Sequence, residues 1–367
     1  MAGMSGFTLG LAGCLGGGGT QDGNGDTGDD ITTDTAMTYR ERVLQMAEEE
    51  GSVTIHTYTP EDVFRREVFS LFEAQYPWAE LLYNPNAGSA SLSQANTQKR
   101  AGRLEIDIVQ SDFSSAFALD PVEFYRPISE MELVTEAIAN EDYNETAAGT
   151  YSIPFQAFPI IIYYNRNLVS EPPTSYMDLT DERFRGDVAM QDPLRMSGIA
   201  TALGGLYVEW GEEMFEEFIT GLVANDARFV DSASEAFRLV AQGEIAVGYG
   251  HINDPVNSML QGDSPIELAW DAMDVVMQVV FPLWLFNDSQ NPNVSELFGA
   301  WIVSEEGQNA IVASGRWPVL GTALQAGYGE FVPADAVIKV AESVNQEIIT
   351  DQDKWREYYE GLFGRTS

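Results

Sequence analysis

VTIHTYTPEDVFRREVFSLFEAQYPWAELLYNP, residues 53–85, changes the period of its apolar residues twice. VTIHTY is a β-rich run that stops at Pro60. The following run predicts a helix ending at Pro77, whose apolar face is formed by Val63, Phe64, Val68, Leu71 and Phe72. ELLYNP returns to strand, and a helix over 91–101 and the strand LEIDIVQS at 104–111 continue the alternation. This order predicts an α/β fold with a parallel sheet.

A second α/β unit is predicted over 155–262. It is preceded by YSIPFQAFPIIIYYN (151–165), in which Pro154 and Pro159 interrupt two apolar runs. The unit contains the strands GDVAMQDP and IAVGYG and several amphipathic helices. A strand at 275–286, a helical stretch at 295–318 and C-terminal helices at 334–345 and 351–363 follow.

The charge of the chain is strongly negative. Its 367 residues include 57 acidic side chains, sixteen arginines and three lysines, for a net charge of −38. Such a field repels nucleic acid, so no nucleic-acid partner is expected. Carboxylates in every segment with almost no lysine favour adaptation to molar salt.

One cysteine occurs, and it lies near the start. Leu11-Ala12-Gly13-Cys14 resembles the lipobox of secreted lipoproteins, although the segment before it carries no Lys or Arg. The motif predicts a signal segment at 1–13, a lipidated Cys14 and a flexible acidic linker over 14–36. The membrane is then contacted only through lipid, because no later run reaches the ~20 apolar residues of a span.

Five stretches together resemble one family, in matching order over about 50–325. They are EGSVTIHTYTPED, FSLFEAQYPWAELLY, LEIDIVQSD, IIIYYNRNLVSEPPTSYMDLTDERFRGDVAMQDP and SELFGAWIVSEEGQNAIVASGRWPVL. The chain resembles the extracellular solute-binding proteins of ABC transporters, in the iron(III)-type branch that also includes thiamine, polyamine and phosphonate-type binders. With its lipobox and acidity it is similar to a haloarchaeal lipoprotein of this class.

The resemblance implies the type 2 periplasmic-binding-protein fold: two lobes, each a mostly parallel sheet flanked by helices, with the ligand cleft between them. Lobe 1 is expected at 37–152 with 283–325, lobe 2 with the crossing segments at 153–282, and C-terminal helices at 326–367. The expected function is capture of a small solute or metal ion for an ABC permease at the extracellular face of the membrane.

Candidate ligand contacts lie at strand ends and helix starts, where α/β sheets bind ligands. The residues expected to contact the ligand are Tyr58, Ser89, Ser91, Asp112, Ser197, Gly198, Tyr249, His251, Asn253 and Trp284.

Iron(III) is one expected cargo, although no cofactor is certain. Iron-type relatives carry an adjacent tyrosine pair where this chain has Asn253 and Asp254. A tentative metal set consists of His56, Tyr249, His251 and Asp254. The alternative cargo is a small organic cation or anion in a pocket lined by Tyr58, Tyr249 and Trp284.

A secreted hydrolase is a further alternative, and a surface scaffold without a small ligand is another. Nucleophilic catalysis would need Ser or Cys near His, and no Gly-x-Ser-x-Gly elbow is present. We therefore expect a binding protein and not an enzyme.

Overall fold

The computed structural model describes residues 37–141, 149–195, 198–341 and 346–364. Within them, ten strands form a mixed sheet. The strands are β1 (Ser52–His56), β2 (Glu80–Asn84), β3 (Ile108–Gln110), β4 (Ser152–Asn165), β5 (Val188–Gln191), β6 (Arg228–Val230), β7 (Val247–His251), β8 (Ile266–Leu268), β9 (Val276–Leu285) and β10 (Ile338–Val340).

Helices cover both faces of the sheet. They are α1 (Tyr39–Glu50), α2 (Glu61–Phe64), α3 (Ser70–Gln75), α4 (Gly88–Arg100), α5 (Phe113–Ala116), α6 (Pro121–Phe124), α7 (Glu132–Asn140), α8 (Gly198–Trp210), α9 (Glu212–Ala224), α10 (Ala233–Ala241), α11 (Asn253–Leu260), α12 (Pro292–Ile302), α13 (Glu305–Ala313), α14 (Gly321–Tyr328), α15 (Gln346–Thr350) and α16 (Gln352–Phe363). A π-helical segment, Arg65–Phe69, joins α2 to α3, so the predicted helix after β1 is continuous but locally wider, with hydrogen bonds from residue i to residue i+5.

The sheet has two halves, which we call lobe 1 and lobe 2. Lobe 1 is built on the order β2-β1-β3-β9, with β10 beside β9, and lobe 2 on β4-β7-β5-β6, with β8 beside β4. Pairing is parallel at the flanks, between β1 and its two neighbours and between β5 and its two neighbours. The residue boundaries proposed for the lobes stay predictions.

Strand β4 belongs to both halves. It pairs antiparallel with β9 as far as Pro159, and from Ile160 onward it pairs antiparallel with β7. The register shifts between Ile153 and Gln156, at the first of the two prolines that interrupt the apolar runs. Proline has no N–H to donate, so it is tolerated where the ladder is already irregular.

The described core consists of two apolar clusters. In the first, which lies mainly in lobe 1, the Phe298 ring contacts Phe69 and Phe72 edge to face. The second includes Phe218 of α9 in lobe 2 and extends to Trp284 of β9 in lobe 1. The second cluster therefore contains side chains from both lobes.

Two predicted elements differ from the structure. A helix was expected at 334–345, but Ile338–Val340 in this segment forms strand β10. It pairs parallel with β9, starting with Ile338 opposite Val276. The strand expected at 104–111 is only β3, because the Asp107 carboxylate accepts the Thr54 N–H and so replaces a regular ladder bond.

In the described part of the chain, every helix is too short or too polar to cross a membrane.

Candidate functional site

A cleft of about 340 Å³ opens at the carboxyl ends of parallel strands from both lobes. Tyr58 and Asp112 follow β1 and β3, whereas Gln191 and His251 end β5 and β7. The full lining is Tyr58, Asp112, Phe158, Gln191, Gly198, Ser232, Ala233, Ser234, His251, Phe281 and Arg316. Carboxyl strand ends are where open α/β sheets bind their ligands, so this cleft is the candidate binding site.

Tyr58 forms part of the lobe 1 wall. Its hydroxyl lies against the backbone of Gly88, the first residue of α4, which has a φ of +56°. Burial raises the pKa of Tyr58 above its usual value, and the nearby Asp112 carboxylate raises it further. Tyr58 therefore presents a neutral phenol to the cleft at physiological pH.

Asp112 supplies the carboxylate of this wall. Its Oδ1 accepts hydrogen bonds from the Ser115 N–H and the Ser114 hydroxyl, and so caps the N-terminus of α5. Its Oδ2 forms no hydrogen bond within the part of the chain that the structure describes. One carboxylate oxygen of Asp112 is therefore available to a ligand.

A buried amide network holds the backbone of Tyr58. Gln110 accepts the Tyr58 N–H at 3.1 Å and the Thr57 hydroxyl at 2.6 Å through the same oxygen. Its amide donates to Gln156 of β4, which in turn donates to the Thr59 hydroxyl. The wall of lobe 1 is thus tied to the strand that both lobes share.

Aromatic rings connect the two walls. Phe281 of β9 contacts Tyr58 and Phe158 edge to face, with ring centroids 5.9 Å and 5.1 Å apart. Phe158 in turn stacks on the ring of His251, with centroids 5.1 Å apart. These contacts make the base of the cleft apolar between its polar ends.

His251 lies where β7 meets the start of α8. A Cβ added to Gly198, the first residue of α8, would lie 3.6 Å from His251 Nε2. Burial lowers the pKa of His251 to about 4, with opposing contributions from Asp254, which raises it, and Arg316, which lowers it. The ring is therefore neutral at pH 7, and its Nε2 has no hydrogen-bond partner among the described residues.

Arg316 brings a positive charge to the cleft. It follows α13 and is partly buried, and burial lowers the pKa of its guanidinium, although arginine keeps its proton at any physiological pH. All three lysines of the chain lie in ion pairs. The Arg316 guanidinium forms no ion pair or hydrogen bond with any described residue. Within the described ranges, Arg316 is thus a cation without a partner in a very acidic protein.

Four of the predicted ligand contacts line the cleft: Tyr58, Asp112, Gly198 and His251. Ser197 and the predicted lipidation site Cys14 lie outside the described residues. Ser89 is exposed on the first turn of α4, away from the lining.

The other predicted contacts lie in the interior and not on the cleft wall. Trp284 is 1% exposed, and its indole N–H donates to the Ser111 carbonyl. Tyr249 is 0% exposed and contacts Tyr176 in the core of lobe 2. Asn253 is buried at the start of α11, with no side-chain hydrogen bond among the described residues.

The tentative metal set is not assembled. His56 is buried in lobe 1 against the Ser91 hydroxyl, so both of these side chains are used within that lobe. Asp254 accepts a hydrogen bond from Ser234 behind the cleft wall, and Tyr249 lies in the core. No three His, Cys, Asp or Glu side chains converge in a metal-binding arrangement anywhere in the described ranges.

Several lining residues of the cleft were not predicted from the sequence. Phe158 and Phe281 lie within β4 and β9, the paired strands in the middle of the sheet, where apolar residues are expected to belong to the core. Arg316 lies in the SELFGAWIVSEEGQNAIVASGRWPVL stretch that carried the family resemblance, which was the one available signal for it. Gln191, Ser232 and Ser234 are polar residues at a strand end and at the N-terminus of α10, and they gave no specific signal.

Comparison with known families decides the class of protein. The profile of the bacterial extracellular solute-binding protein family matches residues 114–341, more than half of the chain. The chain belongs to this family. An uncharacterised protein of Haemophilus influenzae is 29% identical over 140 residues, which are 38% of this chain and 40% of that protein. The chain thus aligns with less than half the length of that relative.

Solved structures support the fold of this family member. Iron-bound HitA from Pseudomonas aeruginosa superimposes with a TM-score of 0.65 at 18% identity, covering 84% of this chain and 99% of that one. A periplasmic thiamin-binding protein superimposes with a TM-score of 0.66 at 18% identity, covering 86% of this chain and 96% of that one. AfuA from Actinobacillus pleuropneumoniae, with fructose-6-phosphate bound, superimposes with a TM-score of 0.64 at 15% identity, covering 85% of this chain and 98% of that one. At these identities the likeness establishes the type 2 binding-protein fold.

Proposed function

We propose that this protein captures a small solute in the cleft between its lobes and delivers it to the permease of an ABC importer. The observation that carries the proposal is the cleft itself, whose lining comes from strand ends of both lobes. A ligand held there touches both halves of the molecule, so it favours an arrangement in which the lobes are close. Membership of the solute-binding family supports this role over catalysis.

The solute carries an anionic group. Arg316 is a partly buried guanidinium on the cleft wall, and no described residue neutralises it. A carboxylate or phosphate can accept two parallel hydrogen bonds from a guanidinium, which makes it the natural partner of this side chain. Neutral His251 beside it supplies a ring nitrogen without a competing charge.

An organic anion is favoured over iron(III). A ferric ion prefers several anionic oxygen ligands, and the described lining contains the single carboxylate of Asp112. The pKa of Tyr58 is raised by burial and by Asp112, which opposes the phenolate form that would bind iron. The guanidinium of Arg316 on the same wall also disfavours a trivalent cation.

The ligand test uses the protein as isolated, in molar salt and without chelator. Native mass spectrometry should show an organic adduct, and Arg316→Gln should lose it while Arg356→Gln retains it. Arg356 is a matched control because it forms a surface ion pair with Asp353 outside the cleft. One iron per chain, retained by Arg316→Gln, would refute the organic-anion assignment.

We also propose that Cys14 carries a lipid that holds the protein at the extracellular face of the membrane, in a salt-adapted cell. The LAGC motif followed by a Gly- and Asp-rich linker supports this arrangement. In cells expressing Cys14→Ser, the protein should move from the membrane fraction to the medium. An unchanged distribution between fractions would contradict lipid anchoring.

A further inference from the structure

Two side chains of opposite charge line the cleft and form no ion pair with each other. Among the described lining residues, Asp112 is the one acid and Arg316 the one base that is charged at neutral pH. They form no ion pair with each other, so at least 4 Å separates their charged atoms. The Oδ2 of Asp112 and the guanidinium of Arg316 therefore both lack a partner within the described chain.

Burying either charge without a counter-charge is costly. A solute with only a carboxylate would neutralise Arg316 but leave Asp112 enclosed and unpaired. A solute with only an ammonium group would neutralise Asp112 but leave Arg316 enclosed and unpaired. An enclosed charge without a counter-charge is destabilising, so a ligand that neutralises only one of the two side chains is disfavoured.

Asp254 does not serve as the counter-charge of Arg316. Its carboxylate accepts the Ser234 hydroxyl at 2.8 Å and lies behind the wall, outside the lining. It influences Arg316 electrostatically but is not within ion-pair distance of the guanidinium.

The surroundings of Asp112 suit a cation. Tyr58 lies beside it, and Phe281 contacts the Tyr58 ring. Aromatic rings next to a carboxylate stabilise an ammonium group by charge pairing and by cation–π attraction. The cleft, at about 340 Å³, has room for a small organic solute.

We propose that the solute is a small zwitterion of the amino-acid type, with its carboxylate on Arg316 and its ammonium group on Asp112. This inference rests on the proposed function, because it names the class of solute held in the same cleft. It accounts for both unpartnered charges with one ligand of zero net charge.

The experiment compares matched probes by isothermal titration calorimetry on the full chain in molar KCl. The probes are unbranched ω-amino acids from glycine to 6-aminohexanoate, with the alkanoate and the alkylamine of each length. We expect at least one ω-amino acid to bind at least tenfold more tightly than its alkanoate and its alkylamine.

Two variants should change which class of probe binds most tightly, each in the opposite direction. Asp112→Asn keeps the cap of α5, since asparagine caps as well as aspartate, and should shift the preference toward the alkanoate. Arg316→Gln should shift it toward the alkylamine, and Arg356→Gln should behave as the unmodified protein.

The outcomes separate the two proposals. An alkanoate that binds as tightly as the amino acid, with no effect of Asp112→Asn, overturns the zwitterion and leaves anion capture standing. If no probe binds to protein that native mass spectrometry shows to be free of adduct, the zwitterion is also overturned. A metal adduct independent of Arg316 overturns the organic-anion assignment made under the proposed function, and the zwitterion with it.

Discussion

The hydroxyl of Tyr58 lies so close to the Cα of Gly88 that a Cβ on that glycine would be only 1.8 Å from the oxygen. The first turn of α4 and the first wall of the cleft therefore depend on each other. The absence of a side chain at Gly88 is what lets Tyr58 lie there.

We expect Gly88→Ala to destabilise the protein by more than the about 1–2 kcal/mol that a left-handed backbone costs an L-residue. The excess comes from displacing Tyr58, and ligand affinity should fall with it. Urea unfolding and calorimetry measure the two effects. Gly102→Ala is the matched control, because Gly102 has a φ of +69° but nothing within 4 Å of its Cβ position. Equal losses of stability in the two variants would show that Tyr58 moves aside freely.

A methyl group at Gly198 should block the cleft without harming the fold. Its Cβ would lie 3.6 Å from His251 and from Phe281, which is ordinary contact distance. We expect Gly198→Ala to weaken ligand binding at least tenfold in calorimetry, with the thermal midpoint unchanged or slightly raised. Gly361→Ala in α16 is the control, with free space around its Cβ; it should stabilise by about 0.5–1 kcal/mol and leave affinity unaltered. Unchanged affinity in Gly198→Ala would remove the start of α8 from the binding site.

The two histidines should make stability depend on pH. Burial lowers the pKa of both His56 and His251 from 6.5 to about 4, so the unfolded chain takes up their protons first as pH falls. Their contribution is complete above pH 6.5 and is lost progressively toward pH 4. We expect His251→Gln to reduce by about 1–3 kcal/mol the loss in free energy of unfolding between these limits. Urea titrations across this range measure it, and a variant with the same pH dependence as the unmodified protein would contradict a neutral, buried His251.

Salt should stabilise the folded chain. The net charge of −38 means that most charged side chains repel one another. The distance over which this repulsion acts falls from about 10 Å at 0.1 M salt to about 3 Å at 1 M. We expect the thermal midpoint to rise by about 5 °C or more between 0.1 M and 2 M KCl, a change worth roughly 2 kcal/mol in a chain of this size. Sucrose at equal osmolality serves as the uncharged control. An equal rise in sucrose would assign the effect to solute exclusion and not to charge screening.

The order of strands and helices was predictable because the local signals agree. Amphipathic periods, Gly51 after α1 and Pro60 before α2 mark the first helices within a few residues. Long-range pairing was not predictable in the same way. Segment 334–345 has the composition of a helix, yet Ile338–Val340 pairs with β9, a strand about sixty residues earlier in the sequence.

The candidate site was predictable only in part. Tyr58, Asp112 and His251 could be predicted as cleft residues from their positions at strand ends, because parallel strands bring their carboxyl ends to one edge of the sheet. Tyr249 and His251 lie on the same face of β7, and the sequence could not show that Tyr249 is buried in the core while His251 lines the cleft beside Gly198. Arg316 reaches the cleft from a distant turn, so only the tertiary structure brings it to these residues.

Strand β4 also has a consequence for how the molecule comes apart. One continuous strand supplies ladder bonds to β9 as far as Pro159 and to β7 and β8 from Ile160 onward. Loss of that strand would remove a neighbour from both cores at once, so neither lobe has an independent melting transition. In scanning calorimetry we expect a single peak with a calorimetric to van't Hoff enthalpy ratio of about one. Two resolved peaks would mean that each lobe keeps its structure without the other.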